Sequence, residues 1–141
     1  MSGQEILNVG FKNVDGTDFS DKMLYEAKNK NIYKRLFNLD LNSNFYNVNF
    51  NYNAIVAAGI ISPHHANPSC LEKCLNILCD SGLLIFSLND HAVENKNFMD
   101  EIFMIVDKNF EILEKTYGDH LPGIKLNSFV YVIKKLKIKK Y

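Results

Sequence analysis

Two short segments decide most of what this chain can fold into. Residues 54–61 read Ala-Ile-Val-Ala-Ala-Gly-Ile-Ile, and residues 83–88 read Leu-Leu-Ile-Phe-Ser-Leu. Neither alternates polar with apolar residues, as a strand with one wet face does. Runs of this length and kind suit strands buried on both faces of a parallel sheet. Further strand-like pieces fall at 14–18, 36–39, 110–113 and 129–133, with helical patterns between them. Ser20 is placed to cap a helix whose Asp21 complements the dipole and whose apolar positions are Met23, Leu24 and Ala27. Asn67-Pro68 reads as the cap and first-turn proline of another helix, striped by Leu71, Leu75 and Leu78 and stopped by Ser81-Gly82. Phe98, Ile102, Ile105 and Val106 mark one face of a helix over 97–108, and Gly10 closes a short one over 3–9. The alternation predicts an α/β domain built on a doubly wound, mostly parallel sheet.

Composition narrows the function. At 141 residues the chain is one domain, and 47% hydrophobic with 23% charged residues excludes general disorder. Sixteen basic residues balance sixteen acidic ones, so no global field holds the chain on nucleic acid or an anionic membrane. Neither is an expected partner. No apolar run approaches the ~20 residues of a bilayer span, and the start lacks the pattern of a secretory signal. Cys70, Cys74 and Cys79 are then expected as reduced thiols of a cytoplasmic protein. Their spacing, with His64 and His65 nearby, does not suit tetrahedral zinc, and no metal is expected. The asparagine-rich residues 42–53 read as a polar loop feeding a strand.

In such sheets ligands bind beyond the carboxyl ends of the strands. Asp18 follows the first strand, Asp40-Leu41 the second, Ala57-Ala58-Gly59 the third, and Ser87-Leu88-Asn89-Asp90-His91 closes the fourth. A carboxylate at such an end can accept hydrogen bonds from both hydroxyls of a ribose. Small residues let a ligand approach the backbone closely.

These four sites, in this order, resemble the class I S-adenosylmethionine-dependent methyltransferases. The segments Tyr52-Asn53-Ala54-Ile55-Val56 and Ser81-Gly82-Leu83-Leu84 are similar to the family's fourth and fifth strands. The closing stretch runs from Tyr117-Gly118 through Leu121-Pro122-Gly123 to Phe129-Val130-Tyr131-Val132, and is similar to the subgroup named for the Williams–Beuren deletion region. The resemblance runs from about residue 3 to 134 and implies a methyltransferase-like domain over 1–134, with 135–141 left as a lysine-rich tail. It implies a Rossmann-like fold that moves a methyl group from S-adenosylmethionine to a small-molecule or protein acceptor. It assigns Asp18, with the adjacent Phe19, to the ribose and Asp40 to the adenine amino group. Leu41 would pack on the adenine ring, and Ala57 to Gly59 would let the cofactor near the backbone. It names no catalytic residue.

One departure shapes the expectation. The family's glycine-rich loop and the strand before it have no counterpart, and Gly3 stands where the last loop glycine would be. The resemblance thus implies an N-terminally truncated fold. The missing strand belongs mid-sheet, so its loss leaves a gap of two strand spacings, roughly 9.6 Å. Two outcomes follow: a methyltransferase domain with an incomplete cofactor site, or a non-enzymatic remnant that binds a partner or itself through an open edge. His64, His65 and His91 are the general-base candidates, although transfer from a sulfonium needs only in-line positioning. Asp90-His91 reads as a hydrogen-bonded loop pair. The tail, with five lysines over 134–141, reads as a charged sheet edge.

Overall fold

A computed structural model describes residues 2–43, 50–121, 123 and 125–137. Residues 44–49 of the expected 42–53 loop, Pro122 of the closing turn and the end of the lysine tail lie outside the described residues. The chain divides into two units, Met1–Ser43 and Asn44–Tyr141, taken here in turn.

The N-terminal unit holds α1 (Ser2–Asn8), β1 (Asp15–Asp18), α2 (Asp21–Asn29) and β2 (Arg35–Asn38). Gly10 ends α1 at φ 104°, its amide donating to the Leu7 carbonyl at 2.9 Å. That left-handed geometry is the reason for glycine there. The Ser20 hydroxyl caps α2 by accepting from the Met23 amide at 3.4 Å. β1 and β2 pair in parallel, with Asp15 directly opposite Arg35. These two form a bidentate ion pair, with Nη2 to Oδ2 at 2.6 Å and Nε to the two oxygens at 3.0 and 3.2 Å. The ring of Tyr33 lies against two glycines. A Cβ on Gly16 would sit 3.0 Å from it, and one on Gly3 would collide with the phenol. Gly3 therefore belongs to the packing of α1.

The C-terminal unit runs β3 (Tyr52–Ala57), α3 (Cys70–Ile77), β4 (Leu78–Asn89), α4 (Asp90–Glu94), α5 (Lys96–Asn109), β5 (Phe110–Leu121) and β6 (Leu126–Lys135). Its sheet has the order β3-β4-β6-β5. β3 and β4 are parallel, but β6 is antiparallel to both its neighbours, so the sheet is mixed and not mostly parallel. Only residues 122–125 separate β5 from β6. That suffices for a reversal and falls far short of the dozen or so residues a parallel crossover needs.

The core lies on one face of this sheet. Leu84, Phe86 and Leu88 of β4 are at most 1% exposed, whereas Leu83 and Ile85, at alternate positions, are half-buried. Phe98, Met99, Ile102, Ile105 and Val106 of α5 are buried, as are Cys70, Leu71 and Cys74 of α3. Tyr131 and Ile133 complete the cluster, with Phe86 stacked on Tyr131 at 5.1 Å between centroids. Each large apolar side chain so buried contributes about 1.5–3 kcal/mol. The two apolar runs are not buried on both faces as expected. Val56 is 42% exposed, because the helices of this unit bury their apolar stripes against the Leu84–Phe86–Leu88 face.

Three local expectations are also corrected. α3 starts at Cys70 with Ser69 as its N-cap, while Asn67 and Pro68 form a preceding turn whose carbonyls accept from the Cys70 and Leu71 amides at 3.0 Å. Ser81-Gly82 does not stop this helix, which ends at Ile77. The pair instead sits in a bulge where β4 runs from Leu78 to Leu83 while β3 runs from Tyr52 to Ala54. Ser81 takes φ 62° there, and a Cβ on Gly82 would lie 2.9 Å from the Cys79 carbonyl oxygen. Finally, the first tail lysines do not form an edge, since β6 lies between β4 and β5. The Lys135 ammonium donates to the Leu75 and Leu78 carbonyls at 2.8 and 2.7 Å, closing the C-terminal end of α3. No helix is long and apolar enough to cross a membrane among the described residues.

Candidate functional site

In the N-terminal unit the two predicted acids come together at one edge. Asp18 is the last residue of β1, and its carbonyl accepts from the Leu39 amide at 3.0 Å, carrying the β1–β2 ladder past its final pair. The next residue along is Asp40. Both acids therefore stand at the carboxyl edge of the small parallel sheet. Asp18 Oδ1 accepts from the Ser20 amide at 2.8 Å, and Asp40 Oδ1 accepts from the Asn42 amide at 2.8 Å. The Asp40 carbonyl also takes the Ser43 amide and hydroxyl at 3.0 and 2.7 Å. Each carboxylate is thus oriented by a short turn through one oxygen, and among the described residues no hydrogen bond falls on the other. Both acids and Leu41 are half-buried, while Phe19 is 71% exposed. Carboxylates are acceptor-only groups, so this edge suits ligands that offer donors, such as a diol or an exocyclic amine.

In the C-terminal unit Ala57 ends β3 and is 5% exposed. Gly59 follows at φ 72°, exposed, with its amide donating to the Ser87 hydroxyl at 2.8 Å. Of the predicted cluster at the end of β4, Ser87 secures the β3 turn and Asn89 caps α4 by accepting from the Ala92 amide at 2.9 Å. Asp90 does not pair with His91. Its oxygens accept from the Tyr117 hydroxyl at 3.0 Å and the Asn127 amide at 3.1 Å, and the Asn127 side chain donates to Tyr117 at 3.2 Å. Tyr117 also packs on Phe129 at 4.6 Å, and the Lys115 ammonium lies 4.4 Å from the Phe129 centroid. Nothing in the sequence links three residues so far apart; the β5–β6 register creates the cluster.

His64, His65 and His91 are exposed, the first two in a turn closed by the Ala66 amide donating to the Ile60 carbonyl at 3.0 Å. Beside this turn an open groove of about 550 Å³ is lined by Pro63, Asn67, Ser69, Asn95, Phe98 and Glu101. The Cys70 and Cys74 thiols are pushed up to about 11 and about 12 by burial, Cys70 adding to the effect at Cys74. They are protonated core groups rather than nucleophiles.

The sequence matches no family model and no curated protein. The fold does match solved structures. The N-methyltransferase NodS from Bradyrhizobium japonicum, in complex with S-adenosyl-L-homocysteine, superposes with a TM-score of 0.70 at 11% identity, over 95% of this chain and 72% of that one. Magnesium protoporphyrin IX methyltransferase ChlM from Synechocystis PCC 6803, with bound S-adenosylmethionine, gives 0.65 at 17% identity, over 87% and 59%. The chain has a methyltransferase-like α/β fold.

Proposed function

We propose that the carboxyl edge of β1–β2 holds the nucleoside part of S-adenosylmethionine and that the chain serves methyl transfer. The juxtaposition of Asp18 and Asp40 carries this reading. Asp18 accepts from the ribose hydroxyls, Asp40 accepts from the adenine amino group, and Leu41 packs on the ring, with Phe19 at the border. The donor set fits, because each acid keeps one oxygen for a ligand donor while the other is fixed by the backbone. Taken by itself, the end of β3 in the C-terminal unit offers Ala57 and Gly59, small residues that let a ligand approach the backbone. The cofactor, when bound, supplies an electrophilic methyl on a sulfonium, and the protein's contribution is alignment of the acceptor and exclusion of water. ChlM is a methyltransferase of magnesium protoporphyrin IX, a small molecule; for this chain the acceptor is a small molecule or a protein.

Calorimetric titration with S-adenosylhomocysteine tests the reading. The chain binds it, and Asp18→Asn and Asp40→Asn each weaken binding by about 1–3 kcal/mol, the scale of a charge-assisted hydrogen bond. Asparagine keeps the oxygen that accepts the turn amide, so the loss reports on the ligand. A folded chain that shows no binding, or variants that bind as tightly, would overturn it. The second reading, a non-enzymatic binding domain, is favoured by one observation: among the described residues β1 pairs only with β2 and β3 only with β4.

A further inference from the structure

The small parallel ladder has four pairs and ends with Asp18 opposite Asn38, the place from which both site acids depart. The end of a ladder is where pairing frays, and the like charges of Asp18 and Asp40 push this end apart. Hydrogen bonds close it there. The Thr17 hydroxyl donates to the Phe37 carbonyl at 3.0 Å, and the Leu39 amide to the Asp18 carbonyl at 3.0 Å. A further bond leaves the ladder: the Asn38 side-chain amide donates to Oδ1 of Asp21, the first residue of α2. It is charge-assisted, and its two side chains are exposed. Asp18 is aimed by the Ser20 amide, so its direction follows the turn that leads into α2. Asp40 is aimed by its own turn beyond β2. The ladder fixes the two strand backbones. The Asn38–Asp21 bond fixes the turn that aims Asp18 against the strand that leads to Asp40.

We infer that Asn38 is a positioning residue for the nucleoside site: through Asp21 it holds the Asp18 and Asp40 carboxylates at a set separation, so that one nucleoside meets both. The inference rests on the reading of this edge under Proposed function. A site that grips its ligand at two points loses affinity when those points move independently, because binding must then order them. An exposed bond of this kind adds little to global stability, so its effect falls on the site.

Calorimetry and hydrogen exchange on the full chain test it. Asn38→Ala binds S-adenosylhomocysteine roughly three- to tenfold more weakly than the unmodified chain, the scale of one hydrogen bond, with an unchanged unfolding midpoint. Asp21→Ala gives the same loss, and the double variant no further one. Exchanging the pair, as Asp21→Asn with Asn38→Asp, restores affinity, since an amide again faces a carboxylate. In an Asp40→Asn background the loss from Asn38→Ala shrinks to less than about half, whereas a general loosening would add in full. Without ligand, Asn38→Ala speeds exchange of the Leu39 amide and leaves the C-terminal sheet unchanged. An Asn38→Ala chain that binds as tightly as the unmodified one overturns the inference alone. So does a loss that the exchanged pair leaves in place, or a Leu39 amide that exchanges equally in both chains. If the unmodified, folded chain binds no S-adenosylhomocysteine, the methyl-transfer reading fails and this inference falls with it.

Discussion

The Gly59 amide and the Ser87 hydroxyl join the ends of β3 and β4 across 2.8 Å. Gly59 can direct its amide there because it sits at φ 72°, where a residue with a Cβ pays about 1–2 kcal/mol. Ser87 is 6% exposed, so its hydroxyl is fixed by packing before the bond forms. Ser87→Ala is expected to lower unfolding free energy by about 1 kcal/mol, and Gly59→Ala by about 1–2 kcal/mol. Urea denaturation of both variants checks this. Equal midpoints for Ser87→Ala and the unmodified chain would show that water replaces the hydroxyl without loss.

Lys135 closes a helix it is far from in sequence. Its ammonium takes the Leu75 and Leu78 carbonyls, the last acceptors of α3. Lys135→Met keeps most of the stem volume and removes the ammonium donor from both carbonyls, for an expected loss of about 1–3 kcal/mol. Lys134→Met, one residue earlier, changes stability by less than half as much. Thermal unfolding of the two variants side by side separates a specific cap from a general effect of charge.

The residues that the sequence made legible are those governed by local rules. Ser20 caps α2, Gly10 ends α1, and the α5 stripe of Phe98, Ile102, Ile105 and Val106 is buried as its spacing requires. Asp18 could be placed at a strand end because the Ser20 helix cap follows it, and Asp40 because it closes the run at 36–39. What stayed hidden depends on register and on which face the helices cover. The run at 54–61 carries no mark saying that Val56 would face away from them. Ser81-Gly82 looks the same in a helix stop as in a bulge, since both need a left-handed residue. The direction of β6 follows from the brevity of the turn before it, and Lys135 reads as tail until its ammonium is seen to reach the end of α3.

Asp90, Tyr117 and Asn127 form the polar cluster that periodicity could not find. Tyr117→Phe removes a donor to Asp90 and an acceptor for Asn127, and is expected to cost about 1 kcal/mol while the ring keeps its place on Phe129. His91→Ala is expected to be neutral, because Asp90 uses other partners. Unfolding curves for both test this, and a larger loss for His91→Ala would restore the adjacent pair that the sequence suggested.

The buried thiols give the fold a dependence on alkaline pH. Burial pushes Cys70 to about 11 and Cys74 to about 12, from an ordinary value of 9.0. Above pH 9 the unfolded chain releases these protons while the folded chain keeps them, so the unfolded state binds fewer protons and stability falls as pH rises. The contribution is whole below pH 9 and drains away between about 9 and the folded values, at about 1.4 kcal/mol per pH unit for each thiol. Urea midpoints measured from pH 8 to 10.5 should therefore decline more steeply in the unmodified chain than in a Cys70→Ala, Cys74→Ala variant. The same burial predicts that an alkylating reagent at pH 8 modifies Cys79, which is half-buried, well before the other two. Parallel slopes in the two chains, or equal labelling of all three thiols in the folded protein, would mean that Cys70 and Cys74 are not sealed in the core.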